Sequence, residues 1–238
     1  MGIGNTIKGY LEICRISNLP SIWTNVLCAV ILATGQFSWE GYLIQALALS
    51  CYYLAGICLN DVCDAAYDGI HRPSRPIPSG RVSLRGAWIL IILLFATATL
   101  TLLRTSFRQG LFAAFLLITI IVWYDIYHKQ NPFSVLLMAT CRFLVFAVAS
   151  LALTGKMPTA LIVAGGIQFA YVVCLSIVAR YENSRQAPFP IPVIPLMLAG
   201  IPLVDGIILA VFVHPSWILA CTGGAMLMLA GQKYFKGD

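Results

Sequence analysis

The chain has 238 residues, of which 60% are hydrophobic and 10% charged, whereas an average soluble domain carries about 25% charged residues. That composition excludes an ordinary water-soluble globule. The formal net charge of +6 does not mark a nucleic-acid partner, because the basic residues lie in short loops between apolar runs, where they report membrane orientation.

Runs of roughly 18 or more apolar residues mark transmembrane helices, and they recur from Leu19 almost to the C-terminus. No polar stretch is long enough to fold separately, so residues 1–238 read as a single transmembrane domain. The first twenty residues show no short apolar core followed by a small-residue cleavage site. Their MGIGNT start fits a myristoylation pattern, but a chain anchored by several spans gains little from a lipid.

At about 20 residues per span, helices are expected near 19–36, 42–60, 86–103, 109–124, 133–153, 159–179, 189–212 and 215–232. The seventh contains Pro190, Pro192, Pro195 and Pro202, each of which removes a backbone donor, so it reads as a candidate pair of half-helices. The expected fold is all-α: a polytopic bundle of about eight membrane helices, or nine. With eight, the side bearing the N-terminus collects 11 Lys or Arg, among them Arg15, Arg72, Arg75, Lys129, Arg180 and Lys233, and the other side collects Arg104, Arg108 and Lys156. This bias places the N-terminus and the loop after the second helix in the cytoplasm of an integral protein of a bacterial-type inner membrane. The eight cysteines lie mostly within apolar runs and form no CxxC pair, so they read as reduced packing residues.

Of nine acidic residues, three fall within eight positions in CLNDVCDAAYDGIHRPSRPIPSG: Asp61, Asp64 and Asp68. Spacings of 3, 4 and 7 put them on one helix face. Like charges at i,i+4 repel, and a helix C-terminus already carries the negative end of its dipole. A divalent cation reverses that balance. Oxygen-only ligands suit Mg²⁺, which takes one or two carboxylates and completes its shell with water and substrate phosphates; zinc would want His or Cys at ligand spacing. The plainer alternative is a solvated loop in which the aspartates pair with Arg72, Arg75 and Arg81. Arginine forks also recognise phosphate oxygens. Carboxylates for Mg²⁺ beside arginines for phosphate, at a membrane surface, describe a site for a diphosphate whose lipid tail lies between helices.

The run from Asn60 to Asp68 reads NDxxDxxxD, and Arg75 to Gly80 reads RPxPSG. Together they resemble the UbiA-type intramembrane prenyltransferase superfamily, all-helical enzymes that attach polyprenyl groups to acceptors. The resemblance implies Mg²⁺ on Asp61, Asp64 and Asp68, and diphosphate contacts from Asn25, Asn60, Arg72, Arg75, Tyr124 and Lys129, with Lys129 also aiding departure of the leaving group. The region where that family carries a second aspartate-rich motif reads here Ala179-Arg180-Tyr181-Glu182-Asn183-Ser184-Arg185-Gln186. Only Glu182 in it is acidic. With Tyr124-Asp125, Lys129 and Cys141-Arg142 the chain looks most like the short EboC-like subgroup; Arg142 and Arg180 become candidates for neutralising the diphosphate where a second metal cluster is lacking, and Glu182 is the one acidic candidate at that second site.

Arg142 lies roughly 15 Å into the fifth span at 1.5 Å per residue, where an arginine faces a polar cavity or a partner. Asp205, roughly 24 Å into the seventh span on the same rise, is its partner by charge if that helix bends. His71, His128 and His214 are dispersed and read as interfacial. The expected activity is Mg²⁺-dependent transfer of a prenyl group from a polyprenyl diphosphate to an unidentified acceptor in the membrane. A membrane terpene cyclase and a non-catalytic carrier of a prenylated or phosphorylated metabolite stand as the alternatives.

Overall fold

The computed structural model describes residues 3–127, 133–184, 189 and 191–234. The described residues form nine α-helices and one 3-10 turn: α1 (Ile3–Ile13), the turn Ile16–Asn18, α2 (Leu19–Thr34), α3 (Trp39–His71), α4 (Leu84–Leu102), α5 (Gln109–Tyr127), α6 (Ser134–Thr154), α7 (Thr159–Ser184), α8 (Val193–Phe212) and α9 (Trp217–Gln232). Seven are long and apolar enough to cross a membrane, and α9 is a shorter apolar helix. The expected all-helical membrane bundle is therefore present.

Local chemistry sets the helix ends. Ser38 caps α3 by accepting from Gly41 N, and Ser83 caps α4 by accepting from Gly86 N. Gly35 and Gly155 end α2 and α6 with φ of 75° and 67°, a left-handed conformation that glycine adopts at little cost. Helix α3 does not stop at residue 60, as the apolar run suggested. It continues to His71 and spans 33 residues, about 50 Å at 1.5 Å per residue, well beyond a hydrocarbon core of about 30 Å. Hydropathy marks where the membrane ends, whereas the helix persists until Arg72, which precedes Pro73 and is steered out of helical geometry. All three aspartates ride on this extension.

The proline-rich helix α8 is continuous rather than split. Pro192 precedes it, Pro195 occupies its first turn where no amide donor is needed, and Pro202 alone lies in its interior. Around Pro202, α7 supplies donors to the α8 backbone: Gln168 Nε2 to Ile201 O at 3.0 Å and Tyr171 Oη to Met197 O at 2.7 Å.

Helix α2 sits inside the bundle, touching α3, α6, α8 and α9. Its Ile22 and Val26 pack with Leu49, Tyr52, Leu117 and Phe146 in the main core. Outward faces of α4 and α5, including Trp88, Ile92, Phe112 and Phe115, are exposed apolar surface, as lipid contact requires. Helix α1 has no counterpart in the expected spans. It is 11 residues long, too short to cross, and lies against the base of α3 and α4 through Ile13, which packs with Cys58, Leu59, Val82 and Ala87. All eight cysteines are free thiols, with Cys63 and Cys174 exposed.

Candidate active site

The α3 extension presents Asp61 and Asp68 as buried side chains, 7% and 3% exposed, and the following loop folds back over them. That fold follows from its residues. Gly80 takes φ of 75°, Ser79 Oγ donates to Pro76 O at 3.2 Å, and Val82 N closes on Pro76 O at 3.0 Å. The loop so held delivers Arg75, whose Nη1 lies 3.3 Å from Asp61 Oδ1 and 3.0 Å from Asp68 Oδ2. Arg81 is spent on the loop itself and on α1: it donates to Ser74 O and Ser79 Oγ and pairs with Glu12. The pairing of aspartates with loop arginines, weighed from sequence as the plainer alternative, thus occurs through Arg75.

A second cation reaches Asp61 from the other side. Arg15, between α1 and the 3-10 turn, places Nη2 at 3.4 Å from Asp61 Oδ1. Among the described residues it is the single non-glycine with positive φ, at 41°. Such a conformation costs a bulky L-residue on the order of 1–3 kcal/mol and persists where the surroundings over-determine it. Here it aims the guanidinium at the aspartate.

These groups border a cavity of about 1060 Å³. Asn60, Asp61, Asp64, Arg72, Arg75, Tyr124, Arg180 and Glu182, all sequence-predicted site residues, line it. Glu12, Arg15, His71, Arg81 and Lys233 also line it and were not singled out for the site beforehand. In the sequence Arg15 and Lys233 read only as orientation signals, His71 as interfacial, and Arg81 as a loop arginine able to pair with the aspartates. Val135, Met138, Leu175, Ala179, Ile194 and Leu198, from α6, α7 and α8, form its apolar wall. Asn60 Nδ2 donates to Asp125 Oδ1 at 3.1 Å, which ties α3 to α5 and leaves the Asn60 carbonyl oxygen as acceptor. Arg180 Nη2 donates to Ser134 Oγ at 2.7 Å, and Glu182 Oε1 accepts from Phe189 N at 3.3 Å.

Three predicted residues lie off the cavity lining. Asp68 stands behind Arg75 and holds it. Arg142 and Asn25 belong to a polar network inside the bundle: Arg142 Nη1 donates to Asn25 Oδ1 at 2.7 Å, and Asn25 Nδ2 donates to Asp205 Oδ2 at 2.7 Å. Gln168 Nε2 meets the other oxygen of Asp205 at 2.8 Å. Arg142 and Asp205 are therefore linked through Asn25 rather than paired directly, and no bend of α8 is needed. Lys129, like His128, lies outside the described residues.

Among the described residues no three His, Cys, Asp or Glu side chains converge tightly enough to hold a metal by themselves. Magnesium does not demand three, since one or two carboxylates with water and phosphate oxygens complete its shell. Asp61 and Asp64 both line the cavity, with Asn60 beside them. This oxygen-only donor set fits Mg²⁺.

The family model described as the UbiA prenyltransferase family matches residues 21–235. A digeranylgeranylglyceryl phosphate synthase from Sulfolobus acidocaldarius is 32% identical over 121 residues, covering 50% of this chain and 42% of that protein. One from Methanococcus aeolicus is 32% identical over 129 residues, covering 52% of this chain and 45% of that protein. The chain thus spans a little under half the length of these relatives. Among solved structures, one of a digeranylgeranylglyceryl phosphate synthase superposes with a TM-score of 0.66 at 16% identity, covering 96% of this chain and 94% of the other. A UbiA homologue from Archaeoglobus fulgidus bound to GPP and Mg²⁺ gives 0.65 at 16% identity, covering 95% and 97%. At such identity the superpositions show a shared fold.

Proposed function

The chain belongs to the UbiA prenyltransferase family, and from that premise we propose that it transfers a prenyl group from a polyprenyl diphosphate to an acceptor nucleophile within the membrane, with Mg²⁺ as cofactor. The observation that carries this reading is a cavity in which carboxylates, guanidiniums and an apolar wall meet. The fold shared with a homologue bound to GPP and Mg²⁺ supports it.

Asp61 and Asp64 would hold the metal, with Asp68 as the third member of the motif acting from behind through Arg75. Bound there, Mg²⁺ supplies positive charge that neutralises the diphosphate and makes it a better leaving group. The chain's own groups do the rest. Arg72, Arg75, Arg180, Tyr124 and Lys129 bind the diphosphate oxygens, and Asn60 orients them. Stabilisation by fixed donors counts most where charge develops as the carbon–oxygen bond breaks. Val135, Met138, Leu175 and Leu198 hold the prenyl tail and keep water from the allylic carbon. The acceptor forms the new bond to that carbon and gives up its proton; pyrophosphate leaves.

Purified protein incubated with geranyl, farnesyl or geranylgeranyl diphosphate and a membrane extract as the acceptor source is expected to release pyrophosphate only when Mg²⁺ is present. Release without Mg²⁺, or none with any of the three, overturns the reading. A prenylated acceptor, rather than a cyclised hydrocarbon, is the expected product.

The same proposal fixes an orientation. Arg15, Arg72, Arg75, Arg81, Arg180 and Lys233 all border the cavity, while Gly155, next to Lys156, packs against Phe107, next to Arg108, at another site. By the positive-inside rule we assign the first set to the cytoplasmic end. In a background lacking the eight native cysteines, a cysteine placed at Ser74 is expected to react with a membrane-impermeant thiol reagent in inverted vesicles and not in intact cells. Labelling in intact cells reverses the orientation.

A further inference from the structure

Building on the reading of the cavity as a metal–diphosphate site, we infer that Arg15 and Arg75 are exchangeable counter-ions. They occupy the metal carboxylate in the ligand-free chain and transfer to the diphosphate when it arrives, so that metal and diphosphate bind together rather than in turn.

The geometry lies at one atom. Asp61 Oδ1 accepts from both Arg15 Nη2, at 3.4 Å, and Arg75 Nη1, at 3.3 Å. Asp61 is buried, so water screens little of this pairing. A divalent ion approaching that oxygen meets two guanidiniums already within hydrogen-bonding range, and their charge opposes its own. Both contacts are longer than the roughly 2.7–2.9 Å of a strong charge-assisted hydrogen bond. They neutralise the carboxylate without gripping it.

Each arginine is also tethered, so that release from Asp61 leaves it beside the cavity. Asp68 holds Arg75 at the shorter distance of 3.0 Å, which gives this off-cavity aspartate a positioning role. The left-handed backbone at φ 41° holds Arg15. Once freed, both guanidiniums face a ligand whose oxygens match their forks. Diphosphate therefore removes the obstacle to the metal, and the metal removes the arginines' hold on the carboxylate.

The test reads metal binding directly, by electron paramagnetic resonance of Mn²⁺ titrated into the detergent-solubilised full chain, with inorganic pyrophosphate as the second probe. Arg15→Gly and Arg75→Gln are expected to bind Mn²⁺ alone about tenfold more tightly than wild type, because a like charge at the ligand has gone. At saturating Mn²⁺ both are expected to bind pyrophosphate more weakly. Arg15→Gly suits the positive φ and so preserves the fold. Arg75→Lys keeps the charge and is expected to retain the weak metal-only binding of wild type. Unchanged or weaker Mn²⁺ binding in both Arg15→Gly and Arg75→Gln overturns the exchange. If wild type binds pyrophosphate with Mn²⁺ while that result is obtained, only the exchange falls. If wild type binds no pyrophosphate with Mn²⁺, the diphosphate reading fails and the exchange with it.

Discussion

Asp64→Ala is expected to abolish Mg²⁺-dependent diphosphate binding while the protein still folds. Asp64 lines the cavity on the same helix face as Asp61, and at that face the carboxylates repel one another when no metal is bound. The ion pairs of Arg15 and Arg75 with Asp61 and Asp68 remain when Asp64 is removed. Asp61 is a less discriminating target, because its loss also strands the Arg15 and Arg75 guanidiniums. Loss of an outer partner of a metal ligand lowers metal affinity by roughly 10–100-fold, and loss of a ligand itself is expected to exceed that range. The measurement is titration with a non-hydrolysable diphosphate analogue at saturating Mg²⁺, with helical content checked by circular dichroism. Glu182→Gln is expected to be milder than Asp64→Asn, since Glu182 lines the cavity but is engaged with Phe189 N. Wild-type affinity in Asp64→Ala would remove the metal from this cluster.

How much of this arrangement was legible beforehand depends on the range of the interactions involved. Charged residues stand out in a chain that is 10% charged, so Asp61, Asp64, Asp68, Arg72 and Arg75 announced themselves, and the long apolar runs gave the bundle. Local patterns also gave the start of α2 at Leu19. What they did not give is tertiary. Helix α1 is held by Ile13 against residues 45 and more positions away, such as Cys58 and Val82, and an 11-residue segment carries no membrane signal. Arg15 enters the site through one left-handed residue, and nothing in its neighbours' composition marks that turn. Proline content suggested that α8 would break, whereas donors from α7 meet its backbone around Pro202.

The same long-range physics sets the expected behaviour of Arg142, which is to support the fold more than the ligand. Its guanidinium is linked to Asp205 through Asn25, across sequence separations of 117 and 180 residues, and Asn25, Gln168 and Asp205 are fully buried. Because Arg142 does not line the cavity, its loss is expected to leave the proposed diphosphate contacts in place. It does leave Asp205 without a compensating charge in a water-poor interior. Removing one partner of a directly paired buried ion pair costs about 3–5 kcal/mol; with the Asn25 amide between the charges the cost is expected to fall below that range, nearer the ~1–3 kcal/mol of a buried polar group left unsatisfied. Arg142→Ala and Asp205→Ala are each expected to lower the unfolding midpoint in detergent, whereas the double variant Arg142→Met/Asp205→Leu is expected to lose less than the sum of the two, because it removes both charges together while leaving the buried Asn25 amide short of partners. A coupling energy above about 1 kcal/mol in the double-mutant cycle is the signature of residues that share one network. Diphosphate affinity of Arg142→Ala, measured below its unfolding temperature, should stay within about threefold of wild type. A stable Arg142→Ala protein that binds diphosphate much more weakly would instead place Arg142 on the substrate and take the network's structural role away.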